Sequence, residues 1–371
     1  MSGRLRFRIF AHSWYSDWNH GNTHFLRGLA RELIALGHEV RCYEEEDSWS
    51  LSNLRQHENG LADAAIERFM RVFPQLDVRF YRRDATFRDF SEKELQGADI
   101  VLVHEWTAAD VANTILSLKP TLRFRALFHD THHRAYTSPA EILKIDLSQF
   151  DGVLAFGEAI RRIYKDRFGV RRVWTFHEAA DVANFFPRHR DKNVDVIWIG
   201  NWGDDERTAE LQEFLIGPAK EFGGRAVVYG VRYPAQALQQ LKSAGIEFRG
   251  YLPNLMAPEA YADSCLTLHI PRRQYTNGLS GIPTIRVFEA MACGIPLLCS
   301  PWTDTEGLFR PQHDYLCLPD GQAMLAEIRH LLRDQSARAQ MVASGLQTIR
   351  NHHTCAHRAA QLLDICQELG R

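Results

Sequence analysis

The sequence predicts an α/β protein made of two doubly wound domains, each a mostly parallel sheet with helices on both faces. Three observations carry this expectation. Short apolar strand patterns alternate with helical ones of period 3.6 along most of the chain. A charged, apolar-poor run, "FFPRHRDKNVD" (185–195), divides the alternation into two series of similar size. A length of 371 residues also exceeds one comfortable core, so two domains of about 180 residues are expected. Sheets of this kind bind ligands outside the carboxyl ends of their strands, so two such domains would face each other across a cleft.

The first series opens with the strand "RFRIFAH" (6–12) and the helix "HFLRGLARELIALG" (24–37), which puts Phe25, Leu29, Leu33 and Leu36 on one stripe and stops at Gly37. Strands follow at 38–44, 98–105, 123–130 and 152–157. The helix "EAIRRIYKDRFG" and the strand "RVWTFHE" close the series. The second series runs strand 194–201, helix "ERTAELQEFLIGPAKEFG", strand 225–230, helix "PAQALQQLKSAG", strand 246–252, helix "APEAYADS" and strand 265–270. "TIRVFEAMACGIPLLCSPW" (284–302) then reads as a helix from near Pro283 to Gly294 and a strand from Ile295 to Cys299. The tail from Gln322 to Gly370 is helical.

Composition is ordinary: 45% hydrophobic, 24% charged and 11% aromatic residues, with a net charge of −2. Such a balance gives no global attraction to nucleic acid or an anionic membrane, so any anion site must be local. Basic–aromatic interleaving in "RFRIF" and "RFMRVF" falls on core elements, and no nucleic-acid partner is expected. Seven scattered cysteines without a C-x-x-C pair read as reduced thiols. The N-terminal stretch is not a signal peptide, and no apolar run approaches the roughly 20 residues that span a bilayer. The expectation is a cytoplasmic protein, with peripheral membrane contact left open.

Glu289 and Arg286 carry the first chemical question. Glu289 is either a helix-end charge favoured by the macrodipole or an acceptor for both hydroxyls of a ribose. Arg286 is its solvated i, i+3 partner or a fork for a diphosphate. "FHDTHH" (128–133) brings three histidines and an aspartate together, but spacing on one loop is poor for a closed tetrahedral site, and no metal is expected.

"RVFEAMACGIPLL" resembles the signature of the glycosyltransferase group 1 family, the family-4-like enzymes of the GT-B fold. "NHGNTHFLRGLARELIALGHEV" (19–40), the segment 151–187, "DVIWIGNW" (195–202), the segment 248–272 and the closing helices resemble that family in the same order. Likeness is weakest between about residues 45 and 95. The family often carries two glutamates eight apart; here the second is Glu289 and the first position is Gly281. That loss, with an R-x-F-E-A core, is similar to the spore-maturation-protein type branch.

The resemblance implies two Rossmann-like domains, 1–187 for the acceptor and 194–354 for the donor, with residues 355–371 forming a helix that crosses back onto the first. It implies transfer from a nucleotide-diphosphate-sugar, without a cofactor or catalytic metal and with retained configuration. The acceptor is not named: a sugar, a lipid or a protein fits equally. A nucleotide-sugar epimerase on the same fold and a non-catalytic nucleotide-sugar binding protein are the alternatives. Departing phosphate gathers negative charge and needs preorganised donors. Gly21, before the first helix, offers backbone N–H groups, and Arg207 and Arg272 lie just past strand ends, with Arg273 as the alternate register. Asn201 and Tyr251 match positions that contact donor phosphate or base, Glu289 the ribose and Arg286 the diphosphate. His104 matches a histidine that touches the sugar, with a satisfied structural histidine as the competing reading. His20, Asp17 and Asp130 line the same region, and one of Asp17, Glu105 or Asp130 would be the base if the reaction inverts. In "SWYSDW" (13–18), Trp14 and Trp18 are expected at the acceptor, or packed for bulk.

Overall fold

The structure, a computed structural model, describes residues 3–56 and 61–370. Met1, Ser2 and Arg371, which the expected domain limits include, lie outside the described residues. Two compact units are present: the chain up to Glu178 together with the segment from Cys355 onward, and Ala179–Thr354.

The first unit holds β1 (Arg6–Phe10), β2 (Glu39–Glu45), β3 (Asp77–Tyr81), β4 (Ile100–His104), β5 (Arg125–Asp130), β6 (Gly152–Ala155) and β7 (Val173–Thr175). They lie side by side in the order β3-β2-β1-β4-β5-β6-β7, and every pair is parallel. The second unit holds β8 (Val194–Ile199), β9 (Ala226–Tyr229), β10 (Glu247–Phe248), β11 (Ser264–His269), β12 (Leu297–Cys299) and β13 (Leu316–Cys317), in the order β10-β9-β8-β11-β12-β13 and again all parallel. Helices cover strands on both faces, so β4 is buried along its full length and reads as the unbroken run Ile-Val-Leu-Val-His. Strand order reverses between β1 and β4 in one sheet and between β8 and β11 in the other. Crevices at the carboxyl ends of such reversals are where this architecture places ligands.

The last helix, Cys355–Gly370, belongs to the first unit although the whole second unit precedes it in the chain. It packs against helix Thr23–Ala35. Arg358 Nε donates to the His177 carbonyl at 3.0 Å and Gln361 Nε2 to that of Thr175 at 2.8 Å, while Trp174 Nε1 donates to Glu368 at 3.0 Å.

Several expected elements are shorter or broken. The run 206–223 is not one helix: Thr208–Leu211 passes into a π-helical turn, Gln212–Ile216, and then Gly217–Phe222. Pro218 lacks an N–H and its ring crowds the carbonyl four residues back, which the wider turn relieves. Strand 246–252 is reduced to Glu247–Phe248 because Gly250 turns out at φ +72°. The charged run 185–195 is not a free link. The unit boundary falls ahead of it, Phe185 is buried, and Arg188 reaches Glu259 at 2.6 Å. Between residues 45 and 95, where only "RFMRVF" was read as part of a core element, lie helices Trp49–Gln56, Leu61–Val72 and Phe87–Leu95 and the edge strand β3.

Candidate active site

In the second unit, β8 and β11 end side by side. Arg207 spans them: Nη2 donates to the Asn201 carbonyl at 2.6 Å and Nη1 to the Ile270 carbonyl at 3.1 Å, just beyond the two strands. Its guanidinium lies over the Trp198 ring, 5.2 Å from the centroid. Gly203, at φ +78°, lets the chain pass this side chain, since a Cβ there would stand 2.7 Å from Arg207 Nε. Burial, and after it the nearby Arg272, pull the Arg207 guanidinium down to about 9; Arg286 adds to the same push. Three guanidinium groups therefore converge at the reversal of this sheet.

Each of the other two is held by a carboxylate. Arg272 pairs with Glu206, whose second oxygen accepts Gln274 Nε2 at 2.9 Å. Arg286 pairs with Glu289 one turn along helix Ile285–Cys293, and Asn254 Nδ2 donates to the other Glu289 oxygen at 2.6 Å. Gly294, in the left-handed region at φ +67°, ends that helix so that β12 can follow. Beside the cluster, buried His269 meets the Thr284 hydroxyl at 3.2 Å, and burial followed by Arg207 brings its imidazole down to about 3.

In the first unit, His104 ends β4. Its Nδ1 accepts the Trp106 backbone N–H at 3.3 Å, so Nε2 carries the proton and donates to the Thr131 hydroxyl at 2.9 Å. Asn22 Nδ2 donates to the same hydroxyl oxygen at 2.5 Å. His12, His20 and Trp106 continue this wall: ring centroids lie 3.8 Å apart for His12–His20, 5.1 Å for His12–His104 and 6.0 Å for His20–Trp106. Burial holds His104 well below the ordinary histidine range, with His129 and His20 adding to it, and takes His20 down to about 3. The imidazoles are neutral.

Behind the wall sit two buried acids, Glu105 and Asp130. Tyr164 Oη donates to Asp130 at 2.6 Å and the His132 N–H at 2.9 Å, while Thr131 N–H reaches Glu105 at 3.3 Å. Burial raises Asp130 to about 6 and Glu105 well above the carboxylate range, each in contact with the other. Two carboxyls in one dry space keep a proton. Among the described residues, no group of three or more His, Cys, Asp or Glu is placed to hold a metal ion.

Comparison with known proteins then settles the class. A family model described as Glycosyltransferase Family 4 matches residues 21–184, and one described as Glycosyl transferase-like matches residues 207–364. Together they take in most of both units. This chain is a GT-B glycosyltransferase of the group 1 family. Solved structures share the fold across almost the whole length. Sucrose-phosphate synthase from Thermosynechococcus elongatus aligns with a TM-score of 0.66 at 14% identity, covering 99% of each chain. An alpha-glucosyltransferase in complex with UDP and a 13-mer DNA aligns at 0.69 and 14%, covering 98% of this chain and 100% of that one. The Anabaena protein HepE in complex with UDP and glucose aligns at 0.68 and 13%, again covering 98% and 100%. No curated protein matches the chain by sequence.

Placement of the expected residues in this glycosyltransferase is uneven. Arg207, Arg272 and Arg286 come together, with Asn201 beneath Arg207 and its Oδ1 accepting the Val231 N–H at 3.1 Å. Arg273 turns away to Glu210 at 2.7 Å, so the register favours Arg272. Tyr251 is buried. Glu289 is fully buried, its two oxygens meeting Arg286 and Asn254. In the first unit, Gly21 precedes helix Thr23–Ala35 and its carbonyl accepts the His24 N–H. Asp17 pairs with buried Arg27 at 3.1 Å, a partner that holds its loop. Trp14 is wholly buried, its indole N–H given to the Tyr43 carbonyl and its backbone N–H to Glu44, which favours bulk packing, the other of its two readings. Trp18 is nearly buried beneath the half-exposed Trp49, at 5.0 Å between centroids. Asn254, Trp49, Trp106 and His12 were not singled out by spacing, and only their contacts in the folded chain mark them.

Proposed function

We propose that this glycosyltransferase moves a sugar from a nucleoside-diphosphate sugar to a hydroxyl-bearing acceptor, without a metal and with retained configuration. The observation that carries the reading is the Arg207–Arg272–Arg286 convergence where β8 and β11 part. Guanidinium groups bind phosphate oxygens bidentately, and a diphosphate is the charge that three of them match. The UDP in the alpha-glucosyltransferase and HepE structures supports the same donor class. Arg286 and Arg272 would take the phosphates, Arg207 would fix their approach, and Asn201 and Tyr251 would flank the nucleotide. Glu289 would act from behind, holding Arg286 and Asn254 in place. Gly21, ahead of helix Thr23–Ala35 in the first unit, would offer backbone N–H groups to an anionic group of a substrate.

In the step itself, the acceptor oxygen forms a bond to the anomeric carbon while the bond from that carbon to the β-phosphate oxygen breaks. The electron pair leaves with the nucleoside diphosphate, and the acceptor proton passes to a phosphate oxygen on the same face. Positive charge around the leaving group lowers the barrier by stabilising charge that grows only in the transition state. His104, Asp130, His20 and Trp18 would position the sugars. Retained configuration follows the family resemblance, and Asp17, one of the candidate bases for inversion, is held by Arg27 at 3.1 Å. The Arg-x-Phe-Glu-Ala core with Gly281 supports a place in the spore-maturation-protein type branch.

A thermal-shift panel of nucleoside diphosphates and their sugars tests the reading. At about 100 times its dissociation constant, the right nucleotide should stabilise the protein by roughly 2.7 kcal/mol. Failure of every nucleotide to shift the transition would overturn it.

A further inference from the structure

We infer that His12, with the indoles of Trp49 and Trp106, forms a subsite of the first unit that holds an uncharged sugar ring by its hydroxyls; this rests on the glycosyl transfer proposed above. His12 lies two residues past β1, beside His104 at the end of β4, at the point where this sheet reverses its order. Both of its ring nitrogens are buried and neither has a hydrogen-bond partner. An orphaned buried polar group is costly, and a folded protein retains one where a ligand relieves it. His104 cannot relieve it, because its own nitrogens are committed to Trp106 N–H and Thr131 Oγ1.

The chemistry of the missing partner follows from charge and shape. Burial and then His20, His104, His132 and Arg134 keep the His12 ring uncharged. A neutral imidazole presents one donor and one acceptor and no attraction for phosphate, which matches hydroxyl groups. Trp49 and Trp106 are 50% and 36% exposed, among the large apolar side chains that this unit leaves in solvent. Both stand about one ring away from His20, at 5.8 Å and 6.0 Å between centroids. Arg134 covers one face of Trp106 at 4.3 Å. An indole offers an apolar face with a polar edge, the surface on which the C–H face of a pyranose rests.

The experiment is saturation-transfer NMR on the full chain with methyl glycosides of glucose, galactose and mannose and with N-acetylglucosamine, each titrated to 100-fold excess, beside His12→Phe, His12→Asn and Trp49→Ala. At least one glycoside should bind the wild type in the millimolar range. His12→Phe and Trp49→Ala should weaken it at least tenfold, and His12→Asn, which keeps a donor and an acceptor, by about threefold or less. If no glycoside binds the wild type, or if the folded variants bind it unchanged, the subsite does not exist. Should His12→Phe fail to fold, Trp49→Ala, at an exposed position, decides. UDP and GDP binding to the same samples is read in parallel: glycoside binding without nucleotide binding would sink the donor reading and leave the subsite standing, and the reverse result would do the opposite.

Discussion

A Cβ on Gly281 would stand 2.1 Å from the hydroxyl oxygen of Thr305, which in turn donates to the Ser280 carbonyl at 3.1 Å. Gly281 also holds φ at +92°. A side chain at 281, the position the sequence resemblance matches to the family's first glutamate, is thus disfavoured by the local backbone and by Thr305.

Restoring it should therefore harm the protein. Gly281→Glu is expected to destabilise by about 1–3 kcal/mol, from the strained backbone alone, with the Thr305 contact added. Gly281→Ala should share most of the loss. Urea unfolding followed by circular dichroism measures both, and an unchanged midpoint for Gly281→Glu would show that the loop rearranges freely.

Arg272→Ala should weaken nucleoside-diphosphate binding by about 10- to 100-fold, the loss of charge-assisted hydrogen bonds of about 1.5–3 kcal/mol. Its surface partner Glu206 leaves little folding energy at stake, so stability should change by less than about 1 kcal/mol. Glu289→Ala should act on both, since it leaves the half-buried Arg286 and the buried Asn254 without their carboxylate. Calorimetric titration with UDP and a melting curve on each variant separate the two effects.

The Glu105–Asp130 pair makes stability depend on pH. An unfolded aspartate ionises near 3.8, whereas burial raises folded Asp130 to about 6 and Glu105 further. Between about pH 4 and 6, the folded chain binds more protons than the unfolded one, so the pair's contribution is full below pH 4 and is lost as pH rises through 6. Buried histidines act in the opposite sense: His129 and His269, brought down to about 3 by burial, cost stability as pH falls below 6.5. Glu105→Gln leaves the histidines in place and removes one carboxyl. Its melting temperature should gain on the wild type between pH 6 and 8, and the gain should vanish near pH 4. A difference independent of pH would mean that the pair is not ionising in this range.

Much of the fold was legible because period and punctuation agree. Of the stripe Phe25, Leu29, Leu33 and Leu36, the first three are buried in the helix while Leu36 follows its end and is exposed, and the helix Ile285–Cys293 with Gly294 is read directly from spacing. Arg207 and Arg272 were legible as candidates because they follow strand ends, where a parallel sheet exposes its ligand edge. What was hidden depends on contacts distant in sequence. Nothing local to Glu289 announces that Asn254, thirty-five residues earlier, will take one of its oxygens. Trp14 looked like a ligand platform because the Tyr43 carbonyl that claims its N–H lies on another strand. β3, with charges along "DVRFY", is a half-solvated edge strand and lacks the apolar run that marked its neighbours.

Because helix Cys355–Gly370 completes the unit that the N-terminus begins, the order of synthesis and the order of assembly diverge. Helix Thr23–Ala35 leaves the ribosome early, but the helix that packs on it follows residues 179–354. At ~5–20 residues per second, that interval is on the order of ten to thirty seconds. During it the later-made unit, continuous in sequence, has all it needs to close its own core. The nascent first unit instead waits with the face of that helix uncovered until the last segment is made.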